Sequence, residues 1–290
     1  MIVTGVIHSA NLNCRYISIL INKKLTFFSL QNHLVKKFRK YLHKGRFVQF
    51  ECYDDADLFC GRRAYKVKHF IKIIRKRYRS HEIYYDIEII RQGIVDVVNN
   101  MENIMFLDME MTMHDWNVSR NFTSEIIQAG FIITNNKGEE LEVGSHYVKP
   151  TLFKKLTKRT KNFLHITDND LEAGLTYNEF YDYFNNILDK YDPTIIVWGK
   201  NDIISLKDSY TINGKESLEK KCNFVNILQV QKNYFNLKND LGLFKALKIY
   251  TGVDPVQIHD ALEDARVTKE VFFAFKKIIN EGIMVDFEGV

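Results

Sequence analysis

The sequence predicts an α/β domain preceded by a small all-β unit, and three observations carry that reading. The first hundred residues run as three strands, a helix and two more strands, whereas the remainder alternates strands with amphipathic helices. Hydrophobic residues make up 46% and aromatic residues 13% of the 290, which supports folded cores of two ordinary domains and excludes a disordered chain. Charge is divided along the chain: residues 1–100 hold 19 Lys/Arg against 8 Asp/Glu, and residues 101–290 hold 22 against 28. The net charge of +5 therefore hides a basic unit suited to a polyanion and an acidic unit suited to cations.

In the first unit, residues 2–9, 14–21 and 24–30 are rich in Val, Ile, Thr and Phe, and Asn-containing breaks separate them. Gln31 to Lys44 switches to helical spacing, with Leu34, Val35, Phe38, Tyr41 and Leu42 on one side, and stops at Gly45. Two further strands are expected at Arg46–Tyr53 and Gly61–Ile74. This element order resembles the five-stranded OB barrel, including its cold-shock form, and implies a basic nucleic-acid-binding domain over residues 1–75. Phe27, Phe28, Phe47, Phe50 and Tyr53 lie among Lys23, Lys24, Arg46, Arg62, Arg63, Lys66 and Lys68. A domain this small needs most of those rings in its core, which leaves one or two for stacking on bases. The spacing of Ile83, Tyr84, Ile87, Ile90, Ile94 and Val98 predicts an amphipathic helix over 78–99, within a connecting segment 76–100. Its apolar face would pack on the next domain or on a second copy of the chain, as in a homodimer.

The second unit, residues 101–290, opens on an apolar run, Ile104 to Leu107, followed by Asp108 and Glu110. In a strand, residues two apart share a face, so both carboxylates aim at one spot about 7 Å apart along the backbone. Such a pair is either a solvated edge turn or a site for a hard divalent cation, which removes the cost of burying like charges. Ser124–Thr134 and Leu141–Val148 complete a meander around the turn Asn135–Gly138, and Tyr177–Asp189 is an amphipathic helix. Thr194–Gly199 is a buried strand, and Asp202 lies just past its end, either capping the helix Ile203–Tyr210 or facing a ligand. A fifth strand is expected at 223–228 and a helix at Leu241–Tyr250. His259 then precedes a last helix that carries Asp264 about one turn in.

None of the four cysteines, Cys14, Cys52, Cys60 and Cys222, forms a C-x-x-C pair, which favours reduced thiols in a cytoplasmic protein over a disulfide framework or zinc site. No run reaches the 18 apolar residues of a membrane span, so no membrane role is expected, and the N-terminus lacks the pattern of a signal peptide. His114, His146 and His165 read as surface or capping residues, Glu263 as solvated, Trp116 as a stacking or loop-packing ring, and Lys154 to Lys161 as phosphate contacts or an exposed face.

D-x-E on a first buried strand, Asp after a fourth strand and H-x-x-x-x-D on a last helix, in this order, resemble the DEDDh 3′-to-5′ exonucleases of the ribonuclease H-like (DnaQ) superfamily. Leu107 to Thr112, Glu125 to Gln128, Tyr147 to Pro150 and Trp198 to Asp202 resemble most its KapD-like branch and the related eukaryotic RNA exonucleases. The resemblance implies a mixed sheet flanked by helices. It also implies that Asp108, Glu110, Asp202 and Asp264 hold two Mg²⁺ or Mn²⁺ ions, that His259 acts as general base, and that Met111 and Thr112 touch the terminal nucleotide, Met111 being equally suited to the core. The expected activity is removal of nucleotides from the 3′ end of single-stranded RNA. The open alternatives are a DNA exonuclease of the proofreading or repair kind and a non-catalytic RNA-binding protein with a nuclease fold. The same resemblance puts the general base beside carboxylates, which would raise the pKa of His259 unless metals offset them.

Overall fold

The structure is a computed structural model that describes residues 1–115, 122–153, 155–254 and 256–287. The chain divides into two compact units, Met1–Gly93 and Ile94–Val290. Among the described residues no helix is long and apolar enough to cross a membrane.

The first unit begins as a meander of β1 (Ile2–Asn11), β2 (Tyr16–Ile21) and β3 (Lys24–Ser29), followed by α1 (Asn32–Phe38), β4 (Phe47–Phe59), β5 (Arg62–Lys76) and β6 (His81–Asp86). The sheet order is β3-β2-β1-β4-β5-β6, and β3 also pairs with β5 in parallel, so β1 to β5 close into a barrel of OB-like topology. Closure satisfies the strand edges that would otherwise stay open. Its core holds Ile7, Ile17, Ile19, Phe28, Phe50 and Phe70, with Phe28 and Phe50 packed edge to face at 4.9 Å. Leu34, Val35 and Phe38 of α1 are buried in the same core.

Three local expectations are corrected here. α1 ends at Phe38 instead of Lys44: the next residues turn, with Tyr41 and Leu42 both donating to the Phe38 carbonyl, and Leu42 still reaches the core. The β4–β5 hairpin extends to Phe59 and Arg62, because Cys60 and Gly61 adopt left-handed φ values of 48° and 73° that let the chain reverse in two residues. The helix expected over 78–99 is split. Residues 81–86 alternate as a strand and pair with β5, Ile83 facing Ile74, and only Ile87–Asn99 is helical, forming α2. Pairing with β5 is available to 81–86, and Asp86 accepts from the Glu88 N–H at 3.1 Å where the helix starts.

The second unit carries β7 (Ile104–Met111), β8 (Ile126–Thr134), β9 (Glu140–Tyr147), α3 (Lys158–Leu164), α4 (Asp168–Glu172), α5 (Tyr177–Tyr191), β10 (Thr194–Val197), α6 (Asn201–Ile212), β11 (Asn223–Asn226), α7 (Ile227–Phe235), α8 (Leu243–Thr251) and α9 (Ala261–Glu281). Its sheet has the order β11-β10-β7-β8-β9, with β7, β8 and β9 antiparallel and β10 and β11 parallel to β7. This is the mixed sheet expected, flanked by helices. Strand alternation on β7 decides where chemistry can occur. Met105, Leu107 and Met109 face a core shared with Phe180 and Phe184 of α5 and Leu206 of α6. Ile104 and Phe106 face Phe272 and Phe275 of α9. Asp108 and Glu110 continue the second face, so α9 lies over the carboxylates.

Candidate active site

The strand β7 runs apolar until its last turn of alternation, where Asp108 is half-buried and Glu110 buried. Asp202 comes from the first turn of α6, immediately beyond β10. It does not cap that helix; Lys200 holds the cap position without a side-chain bond, and Asp202 instead accepts the Met109 N–H through Oδ1 at 3.0 Å. That bond ties the start of α6 to the backbone between the two β7 carboxylates. Asp264 arrives from α9, buried among the same groups. Ligating atoms of Glu110, His259 and Asp264 lie within 4.8 Å of one another. Asp108 and Asp264 both line a cleft of about 480 Å³ whose other walls include Trp198, Leu243, Phe244 and Lys245.

Two residues outside the five candidate catalytic positions bring α9 this close. Gly130 of β8 sits opposite Asp108, and a Cβ there would lie 2.2 Å from the Leu262 backbone nitrogen. Only a residue without a side chain lets the helix start rest on the strand. Gln128, paired with Glu110 across the ladder and itself buried, donates to Asp260 Oδ2 at 2.7 Å and accepts the Ala261 N–H at 3.4 Å. Asp260 in turn caps α9 through Oδ1, accepting from the Leu262 and Glu263 N–H groups at 3.0 and 3.2 Å. A glycine inside a strand pattern is the one sequence signal that could have marked this contact.

Bringing four acids together without compensating cations has an electrostatic cost, and the carboxyl groups report it. Burial, then the neighbouring Asp202, Glu110 and Asp264, hold Asp108 well above the usual carboxylate range. Burial and then Asp264 push Glu110 up to about 8. Asp202 rises to about 6 by burial, partly opposed by its backbone hydrogen bonds, and Asp264 rises to about 6 by burial and Asp260. Asp264 Oδ1 is buried and lacks a hydrogen-bond partner among the described residues. An orphaned buried oxygen amid acids whose pKa values are all raised is a donor set fitted to a hard divalent cation.

His259 is half-buried at the lip of this cluster, with φ of 53° immediately before the Asp260 cap. Its ring lies 4.2 Å from that of Phe163, and its Nδ1 is 3.2 Å from the Gln257 amide nitrogen. Burial and then the charge of His165 lower its pKa. The expectation that nearby carboxylates raise it is therefore corrected: desolvation and the charge of a second histidine set the direction. His165 otherwise ends α3 in a left-handed conformation, as a capping residue does.

The remaining candidates fall into place around the cluster. Thr112 is buried, and its hydroxyl accepts from the Glu125 N–H at 2.9 Å, while Met111 packs partly against the β7 core. Glu125 accepts from the N–H groups of Thr151, Leu152 and Phe153, so it shapes a loop. His146 lies edge-on to Tyr183, His114 bonds to the Asp115 carbonyl, and exposed Glu263 faces Arg266 at 3.6 Å. Trp116 and Lys154 lie outside the described residues.

Comparisons with known proteins agree with this geometry. Residues 105–272 match the exonuclease family RNase_T. The probable 3′-5′ exonuclease KapD of Bacillus subtilis (strain 168) is 34% identical over 171 residues, covering 59% of this chain and 82% of the relative. Among solved structures, a 3′-exonuclease recognising the histone mRNA stem-loop superposes with a TM-score of 0.56 at 15% identity, over 66% of this chain and 73% of that one. The nuclease domain of 3′hExo, a DEDDh family member bound to rAMP, gives 0.54 at 17% identity, over 64% and 97%. These two share the fold. With a match that spans more than half of its length and carries every carboxylate of the cluster, the chain belongs to the RNase_T exonuclease family.

Proposed function

We propose that this exonuclease removes nucleotides from the 3′ end of single-stranded RNA, with Asp108, Glu110, Asp202 and Asp264 holding two divalent cations, Mg²⁺ or Mn²⁺, and His259 serving as general base. The observation that carries the reading is the convergence of acids from β7, α6 and α9 on one cluster, of which Asp108 and Asp264 line a cleft and Asp264 has an orphaned oxygen. When bound, the cations supply charge neutralisation for the carboxylates and for the phosphodiester. Asp202 fixes the backbone at Met109 and so the angle between the two β7 carboxylates. His259, with its pKa lowered, is neutral at working pH and can take the proton of the attacking water. Turning the Gln257 amide so that its oxygen accepts Nδ1–H leaves Nε2 as the proton acceptor. The Phe163 ring limits the positions the imidazole can take. RNA is favoured because relatives of this fold act at the 3′ end of a histone mRNA stem-loop and bind rAMP.

The test is a gel time course on 5′-labelled single-stranded RNA and matched DNA, with Mg²⁺, Mn²⁺ or EDTA. A ladder shortening from the 3′ end, dependent on metal and faster on RNA, is the expected result. A faster DNA ladder would reverse the substrate assignment, and no ladder with either metal would overturn the enzyme reading.

A further inference from the structure

His259 reaches the acids without a helix or strand of its own. Residues 253, 254 and 256–258 before it are exposed and lie in neither kind of element, with Val256 85% and Ile258 52% exposed. Asp260 follows it, and the left-handed φ of 53° at His259 turns the chain between them. The imidazole is therefore placed by its own side-chain contacts and by whatever holds Asp260.

Asp260 is held from two directions. Its Oδ1 caps α9, accepting the Leu262 and Glu263 N–H groups at 3.0 and 3.2 Å, and its Oδ2 accepts from Gln128 Nε2 at 2.7 Å. The cap ties Asp260 only to the helix that follows it. Gln128 ties it to the sheet, because it lies on β8, 2% exposed and paired across the ladder with Glu110. The orientation of its amide follows from its partners. Oε1 accepts the Ala261 N–H at 3.4 Å, so a flipped amide would set N–H against N–H and oxygen against carboxylate.

β8 is buried throughout and otherwise apolar or glycine as far as Thr134, so packing alone would place an apolar side chain at 128. A buried amide costs free energy unless both of its ends are paired, and both ends of Gln128 are spent on the two residues that follow His259. We propose that Gln128 is a positioning residue: through Asp260 it fixes His259 and the first turn of α9, and with that turn Asp264, against Glu110 on the neighbouring strand. Glu110, His259 and Asp264 are the three residues whose ligating atoms lie within 4.8 Å of one another. The proposal rests on the catalytic reading above and gives Gln128 no contact with substrate or reacting atoms.

Three variants of the full chain test it. Asp260→Asn keeps an oxygen to cap α9 but turns an amide N–H toward the Gln128 amide N–H, so that donor meets donor. Adding Gln128→Glu sets an acceptor opposite that amide, keeps an oxygen for the Ala261 N–H and returns the site to its original formal charge. Gln128→Met deletes both bonds at similar volume. Cleavage of 5′-labelled single-stranded RNA with Mg²⁺ is read as kcat and KM, at a temperature where melting curves show every variant folded. Asp260→Asn and Gln128→Met should each lower kcat about 10- to 10²-fold with KM within about twofold, since a misplaced base slows the chemical step more than binding. The double variant should recover kcat to within about threefold of wild type, as a restored pair does in a double-mutant cycle. Single variants that keep the wild-type kcat, including any that lose only melting temperature, would overturn the proposal. So would a double variant no faster than Asp260→Asn. A wild type that shows no ladder would sink the catalytic reading as well, whereas an active wild type beside unaffected single variants sinks the positioning role alone.

Discussion

The two units place charge in opposite ways. The barrel keeps its charges outside over an apolar core, and pairs them locally: Lys68 holds Glu51 below the usual carboxylate range. The nuclease unit draws four carboxyl groups into one cluster, and all four rise. One arrangement sets a base beside its acid, whereas the other gathers acids whose charge a bound cation would offset. The comparison teaches that a site's electrostatic strain, more than its net charge, marks where chemistry occurs.

The sharpest way to break this contrast is to remove one acid. Asp108→Ala should lower the cleavage rate about 10³-fold, equal to about 4 kcal/mol of transition-state stabilisation, while leaving RNA binding in EDTA unchanged. Equal cleavage by the variant would show that the buried acids are not the working centre. His259→Gln should cost about 10²-fold in rate with cation affinity retained, because a general base and not a main ligand is lost. Its wild-type pH profile should show an acid limb with a midpoint below the ordinary histidine value, as the lowered pKa requires. Gly130→Ala tests the support beneath α9: the added Cβ meets the Leu262 backbone, so a loss of about 1–3 kcal/mol in stability and a further fall in activity are expected. Chemical denaturation measures the first, and an unchanged midpoint would refute the close approach.

Stability against pH separates the units by its sign. Glu110 is pushed up to about 8 in the fold from an ordinary value of 4.5, so between those limits the folded, metal-free chain binds more protons than the unfolded one. Asp202 and Asp264, raised to about 6, add to the same trend from about pH 4 upward. Stability should therefore fall as pH rises from about 4.5 to 8 and recover on adding Mg²⁺ or Mn²⁺. Glu51, lowered by Lys68, contributes the opposite sign, stabilising above its unfolded value and losing that as pH falls. A melting temperature that rises through the same window without metal would contradict the strained cleft.

The sheet and its flanking helices were legible from strand alternation and helical spacing, whereas Asp108, Glu110, Asp202, His259 and Asp264 were grouped only by the resemblance, each motif being ordinary by itself. Element limits were less legible. Residues 78–99 satisfy a helical spacing, yet 81–86 pair with β5, and that partner lies outside any local window. The contacts of Gln128 and Gly130 were hidden for the same reason, a glycine within a strand being their one local signal: their partners Asp260 and Leu262 are more than 130 positions away. The direction of the His259 shift required His165 and Phe163, which only the fold brings near.

The most direct test of the strained cleft is calorimetric titration of Mn²⁺ into the metal-free chain at pH 7.5, repeated in two buffers of different ionisation heat. Two ions per chain with net proton release is the predicted result, since Glu110 and Asp108 must give up protons to become ligands. Absence of binding, or binding without proton release, would contradict the account.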